Sequence, residues 1–254
     1  MTQFAYQLYS SRQFGPLSAT LGMLAEIGYD AVEGYGALFT DDEVLNDLEA
    51  GLAATGLTMP TGHFDLALIE AEPSAVIAIA ERFSMTSVFA PFLAPEDRPN
   101  DAGGWRGFGQ KLAEIGKPIA DAGLTFGWHN HAFEFHQQPS GEFPMALILD
   151  ASDHVMLEFD MAWAHIAGQD PAAWLDRYGS RVAAAHIKDI APTGQKMDED
   201  GWADVGQGIM DWPGLYAKLK ALNVPSLVVE HDNPADDRRF ASTSLAALRT
   251  FDTA

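Results

Sequence analysis

The chain has 254 residues, close to the roughly 250 of a one-domain α/β barrel and long for a simple sandwich or bundle. With 47% hydrophobic and 20% charged residues it can bury a large core, and a disordered chain is excluded. Its 36 acidic residues against 15 basic ones leave a net charge of −21, and it has no cysteine, which argues against nucleic-acid partners and excludes disulfides, thiolate metal sites and thiol nucleophiles.

The first residues lack a basic stretch followed by an apolar core, and no apolar run approaches the ~20 residues that span a bilayer. A cytoplasmic protein without a membrane partner is therefore expected. From there short apolar runs alternate with amphipathic segments, which is how repeated β-α units on a parallel sheet look in a sequence. The predicted strands are Phe4 to Tyr9, Ala31 to Tyr35, Thr58 to Asp65, Ser87 to Phe92, Leu124 to Asn130, Val155 to Asp160, Val182 to Ile187 and Ser226 to Glu230. About eight such units close a (β/α)8 TIM barrel, predicted as one domain over residues 1–254. Between them, spacings of three and four put Leu17, Leu21 and Leu24 on one helix face, Phe108, Leu112, Ile115 and Ile119 on another, and Leu215, Leu219 and Leu222 on a third. Gly28, Gly56 and Gly123 stand at helix stops just before strands. Two long loops, Ala94 to Gly104 and Ile190 to Asp211, are expected over the active face.

Acid-base and metal-binding residue types gather at the carboxyl ends of the predicted strands, where barrel active sites sit. His63 and Asp65 end the third. The fifth runs Trp128-His129-Asn130-His131-Ala132-Phe133-Glu134, the sixth ends Glu158-Phe159-Asp160, the seventh His186-Ile187-Lys188-Asp189 and the eighth Glu230-His231-Asp232. Four successive strands ending in His, Asp or Glu would bring like charges to one point unless a cation neutralised them, so one divalent metal is expected. Carboxylate-rich ligation with an imidazole suits Mn²⁺, Mg²⁺ or Co²⁺.

His-Asn-His-x-Phe-Glu-Phe at 129–135, Leu-Glu-Phe-Asp at 157–160, His-Ile-Lys-Asp at 186–189, Gly-Gln-Gly-Ile-Met-Asp-Trp-Pro at 206–213 and Val-Glu-His-Asp at 229–232 together resemble the xylose-isomerase-like barrels of the sugar phosphate isomerase/epimerase type. The resemblance covers nearly the whole chain and is specific for the superfamily, not the substrate. It implies a metal held by Glu134, Asp160, His186 and Glu230, with Glu134 and Glu230 as the two bases that exchange a substrate proton. Because Glu134 lies a few residues past the strand, His131 and His129 remain alternative neighbours of the metal. Asp160 and His186 would be pure ligands. Lys188, His63 and His131 are candidates for substrate oxygens, and Trp128, Trp163 and Phe92 for the apolar wall.

Plainer readings stand beside these. Glu158 shares a strand face with Asp160, and Asp160 is favoured as the ligand. For His165, packing at a helix start is favoured over metal binding. His129 is an orienting or a core histidine, and Glu33 a structural partner or a substrate contact. Asp211 before Trp212-Pro213 reads as a helix cap. Gly206-Gln207-Gly208 lacks the continuation of a nucleotide loop, and no serine sits in a hydrolase elbow.

The expected activity is metal-dependent isomerisation or epimerisation of a ketose or keto-sugar through an enediolate. A lyase or dehydratase on a keto-sugar, keto-glycoside or inosose is the alternative, since the same base and metal can expel a β-substituent. The few basic residues near the predicted mouth favour a neutral sugar as partner, and homo-oligomers are common among barrels of this kind. DNA repair, another use of the fold, is disfavoured by the net charge.

Overall fold

A computed structural model describes residues 2–253. Eight parallel strands, β1 (Gln3–Gln7), β2 (Ala31–Gly34), β3 (Thr58–His63), β4 (Ser87–Ala90), β5 (Thr125–His129), β6 (Met156–Asp160), β7 (Val182–Ile187) and β8 (Ser226–Val229), form a closed barrel in the order β1-β8-β7-β6-β5-β4-β3-β2. Every predicted strand has its counterpart. β1, β3 and β4 each stop two residues early, β1 at Gln7 where Tyr9 was expected. There the Gln7 side chain accepts the Tyr9 backbone N–H and starts a 3₁₀ turn, Leu8–Ser11.

The helices between the strands are α1 (Leu17–Ile27), α2 (Asp42–Thr55), α3 (Leu66–Ala71), α4 (Pro73–Arg82), α5 (Ala102–Asp121), α6 (Pro144–Asp150), α7 (Met161–Ile166), α8 (Pro171–Tyr178), α9 (Trp212–Ala221) and α10 (Asp237–Asp252). Aspartate explains many of their starts: Asp41, Asp65, Asp101, Asp160, Asp170, Asp211 and Asp236 each accept a backbone N–H of the first helical turn. A carboxylate suits that place because it fills an otherwise unpaired donor and meets the positive end of the helix dipole. Part of the acidic excess is thus structural. Gly28 and Gly56 close α1 and α2 in the left-handed conformation, at φ of 100° and 76°.

Three expectations need correction. The loop predicted for Ala94 to Gly104 ends early, because Asp101 caps Gly104 and α5 already begins at Ala102. Leu222 lies past the end of α9 and is exposed, whereas Leu215 and Leu219 are buried. The long segment after β7 is partly ordered by a short antiparallel pair, Asp189–Ile190 with Trp202–Ala203.

The chain divides into two compact units, one made of the stretch up to Thr61 with that from Ala184 onward, the other of Gly62–Ala183. In the first, β1 lies between β8 and β2, with Gln7 level with Glu33, and β8 pairs β7 with Val228 level with His186. Ala5, Ala31 and Val228 form a small fully buried cluster there. In the second, β5 lies between β4 and β6, with His129 level with Glu158. The amphipathic α5 turns Phe108, Leu112, Ile115 and Ile119 inward as its spacing predicts.

Candidate metal and sugar site

Strand alternation decides which side chains meet. In β6, Glu158 and Asp160 point to one face with Leu157 and Phe159 on the other, and both carboxylates are completely buried. In β5, His129 and Trp128 likewise part company. The Trp128 ring packs edge-on against Phe108 of α5, on the helix side of the strand.

In the unit that holds β1, β2, β7 and β8, His186 sits between two carboxylates. Its Nε2 is 2.8 Å from Glu33 Oε1 and its Nδ1 2.9 Å from Glu230 Oε2. Gln7 Nε2 donates to the same Glu33 oxygen at 2.8 Å. Lys188 places its ammonium 3.3 Å from Glu230 and 2.7 Å from Asp232, over the Trp202 ring. Burial raises the Asp232 carboxyl above its ordinary range, and Lys188 opposes that shift.

In the unit that holds β4, β5 and β6, Glu158 receives His63 Nε2 and lies 3.2 Å from His129 Nδ1. Asp160 is clamped to Asn130: its N–H donates to Asn130 Oδ1 at 3.0 Å, and Asn130 Nδ2 donates to its carbonyl at 2.9 Å. Asp160 Oδ1 also accepts the Trp163 N–H, so one carboxylate both caps α7 and faces the strand ends. His131 stacks among Phe92, Phe133 and Trp163, with ring centroids 5.5 to 6.2 Å away. Arg98 lies 3.6 Å over Phe133, so this aromatic patch carries a cation on its rim. A cavity of about 620 Å³ opens beside Phe92, between Asp65, Glu70, Asp97 and Lys111.

Glu134 is carried by a 3₁₀ turn, Phe133–Phe135, back against β5. Its two oxygens accept Trp128 Nε1–H at 2.8 Å and the His131 N–H at 2.9 Å. Burial raises its pKa to about 8 in spite of those hydrogen bonds. Asp211 caps α9 as predicted. The Gly206-Gln207-Gly208 turn wraps the buried Asp189 carboxylate, which accepts the N–H groups of Ile190, Gly206, Gly208 and Met210.

Both units hold buried His, Glu and Asp groups able to bind a metal ion. The ligand atoms of His63, His129 and Glu158 lie within 4.8 Å of one another, as do those of His129 and Asp160, and those of His186 and Glu230. Oxygen and imidazole donors in a dry interior fit a divalent cation, which would offset carboxylate charge that burial makes costly. Gln7 and Asn130 escaped the sequence reading, because an amide is unremarkable until its partner is known. Asn130 did stand within the His-Asn-His run.

A barrel whose strand ends carry such donors defines a class, and comparison places the chain within it. Residues 21–251 match the xylose isomerase-like TIM barrel family, and the chain belongs to it. An inosose dehydratase of Lacticaseibacillus casei is 24% identical over 169 residues, which cover 64% of this chain and 56% of that protein, little more than half its length. Among solved structures, a sugar phosphate isomerase/epimerase from Parabacteroides distasonis superposes with a TM-score of 0.80 at 21% identity, over 97% of this chain and 93% of that one. The IOLI protein with a bound zinc atom superposes with a TM-score of 0.77 at 17% identity, over 98% of each chain. These structural likenesses establish the fold.

Proposed function

We propose that this chain is a divalent-metal-dependent isomerase or epimerase that moves a proton beside the carbonyl of a neutral ketose or keto-sugar. The observation that carries the reading is the pairing of buried imidazole with buried carboxylate at the strand ends, His186 with Glu33 and Glu230, and His63 and His129 with Glu158. We assign cation binding to His186 with Glu230 in the unit of β1, β2, β7 and β8, and to His129 with Asp160 in the unit of β4, β5 and β6. His129 takes the β5 place expected of Glu134, whose oxygens are engaged by Trp128 and His131. Imidazole paired with carboxylate suits Mn²⁺, Co²⁺ or Zn²⁺ better than Mg²⁺. When bound, such a cation supplies Lewis-acid polarisation, which makes the C–H beside a carbonyl more acidic.

Glu230 and Glu158 are the proton acceptors in this reading, the latter backed by His63. Lys188 holds a substrate oxygen, and His131 with Trp163 forms the apolar wall. Dehydration is the second reading, and Lys188 favours it: an ammonium beside Glu230 is placed to protonate a departing hydroxyl while the base takes the neighbouring proton. NMR of ketoses, keto-glycosides and inososes in D₂O, with and without added Mn²⁺ or Co²⁺, tests both. Deuterium entering next to the carbonyl without loss of water, abolished in Glu230→Gln, supports the first. Loss of water supports the second, and neither exchange nor turnover with any of these substrates rejects both.

A further inference from the structure

The polarity of one backbone amide propagates through two buried side chains to His186. The Tyr9 N–H is a donor only, and it lies 3.1 Å from Gln7 Oε1, so the other end of the Gln7 amide, its NH₂, faces Glu33. An NH₂ group donates and does not accept. Glu33 Oε1 is therefore the acceptor at 2.8 Å, and the same oxygen, with two lone pairs, lies 2.8 Å from His186 Nε2. Gln7, Glu33 and His186 are all completely buried, so water does not compete for these bonds. The parallel register of β1 and β2 sets Gln7 beside Glu33.

We infer that Gln7 and Glu33 are positioning residues: the oriented carboxylate holds the ring hydrogen of His186 on Nε2 and leaves Nδ1, the nitrogen beside Glu230, as the donor to a metal. Histidines that bind metals commonly donate their second nitrogen to a carboxylate, which sets the tautomer and ring orientation. The metal part of the inference rests on the proposed function, and the placement of the hydrogen does not. The chain of bonds also explains why β1 ends in a turn at Gln7, since the turn supplies the Tyr9 N–H that orients the amide. Glu33 thus acts on the site through His186, and touching a substrate is not required of it.

The test is long-range ¹H–¹⁵N correlation NMR of the full chain, labelled at histidine, stripped of metal and held at about pH 8, where an ordinary imidazole is neutral. A Co²⁺ titration followed by visible absorption accompanies it. The expected result is a hydrogen on Nε2 of His186 in the wild-type protein. In Glu33→Leu, no acceptor remains beside Nε2, and the ring hydrogen moves to Nδ1, where Glu230 accepts it. Co²⁺ affinity then falls roughly 10–100-fold, with an altered absorption band. A wild-type His186 lacking hydrogen on Nε2, or a folded Glu33→Leu variant that binds Co²⁺ as the wild type does, overturns the inference. Gln7→Leu is the second variant should Glu33→Leu not fold: weakened Co²⁺ binding supports the inference and unchanged binding overturns it. A wild-type protein that carries the hydrogen on Nε2 yet takes up no Co²⁺ removes the proposed metal and leaves the hydrogen placement standing.

Discussion

Glu134 illustrates how a side chain's surroundings outweigh its place in a motif. Desolvation lifts its pKa from the ordinary carboxylate range to about 8, against the pull of the Trp128 and His131 hydrogen bonds. A carboxyl whose folded pKa lies above its unfolded value binds a proton on folding, so its contribution is complete below the unfolded value and is lost as pH rises toward 8. Glu134→Gln keeps the shape and removes the titration. The melting temperature of the wild type is therefore expected to fall more steeply between about pH 5 and 8 than that of the variant, and parallel curves would show that Glu134 does not take up a proton on folding. As a sequence position, Glu134 looked like a strand-end ligand. Its engagement with Trp128 depends on the turn at Phe133–Phe135, which no periodicity announces. Glu134, Asp160, His186 and Glu230 stood out as candidate ligands, with His129 and His131 as alternatives on the fifth strand.

Helices and strands were the most legible elements, since the spacing of apolar residues is a local property and the aspartate and glycine stops agree with it. The close contacts between elements were not. Gly109 of α5 meets α6 so closely that an added Cβ would stand 2.6 Å from the Ile148 carbonyl oxygen and 2.9 Å from Ala151 Cβ. Alanine normally gains about 1 kcal/mol over glycine within a helix. Here Gly109→Ala is expected to destabilise the protein in urea denaturation, because a backbone oxygen has little room to retreat; a gain in stability would contradict the packing. The segment after β7 makes a parallel case. Its Gly-x-Gly turn is wound around Asp189, and Asp189→Ala leaves four N–H groups without their carboxylate. A loss of about 3 kcal/mol or more is expected on chemical denaturation, and a loss under about 1 kcal/mol would mean other acceptors replace it.

For the molecule as a whole, the proposed function predicts that a bound cation stabilises the fold, given a charge of −21 and several buried carboxylates. A ligand that binds only the native state adds about 2.7 kcal/mol when present at a hundred times its dissociation constant. Excess Co²⁺ or Mn²⁺ is thus expected to raise the wild-type melting temperature by several degrees and to leave His186→Ala unmoved; equal shifts in the two would place the cation elsewhere. No helix among the described residues is long and apolar enough to cross a membrane.

The alternation of apolar runs with amphipathic segments was enough to announce the barrel, because the two periods, two residues in a strand and 3.6 in a helix, are written in neighbouring residues. Composition at the strand ends pointed to a candidate site. Which nitrogen of His186 faces which carboxylate was not announced, since Glu33 lies 153 residues away in the chain. Hydrogen-bond polarity between such distant groups is set only when the strands align, and a linear order of residues contains no measure of that alignment.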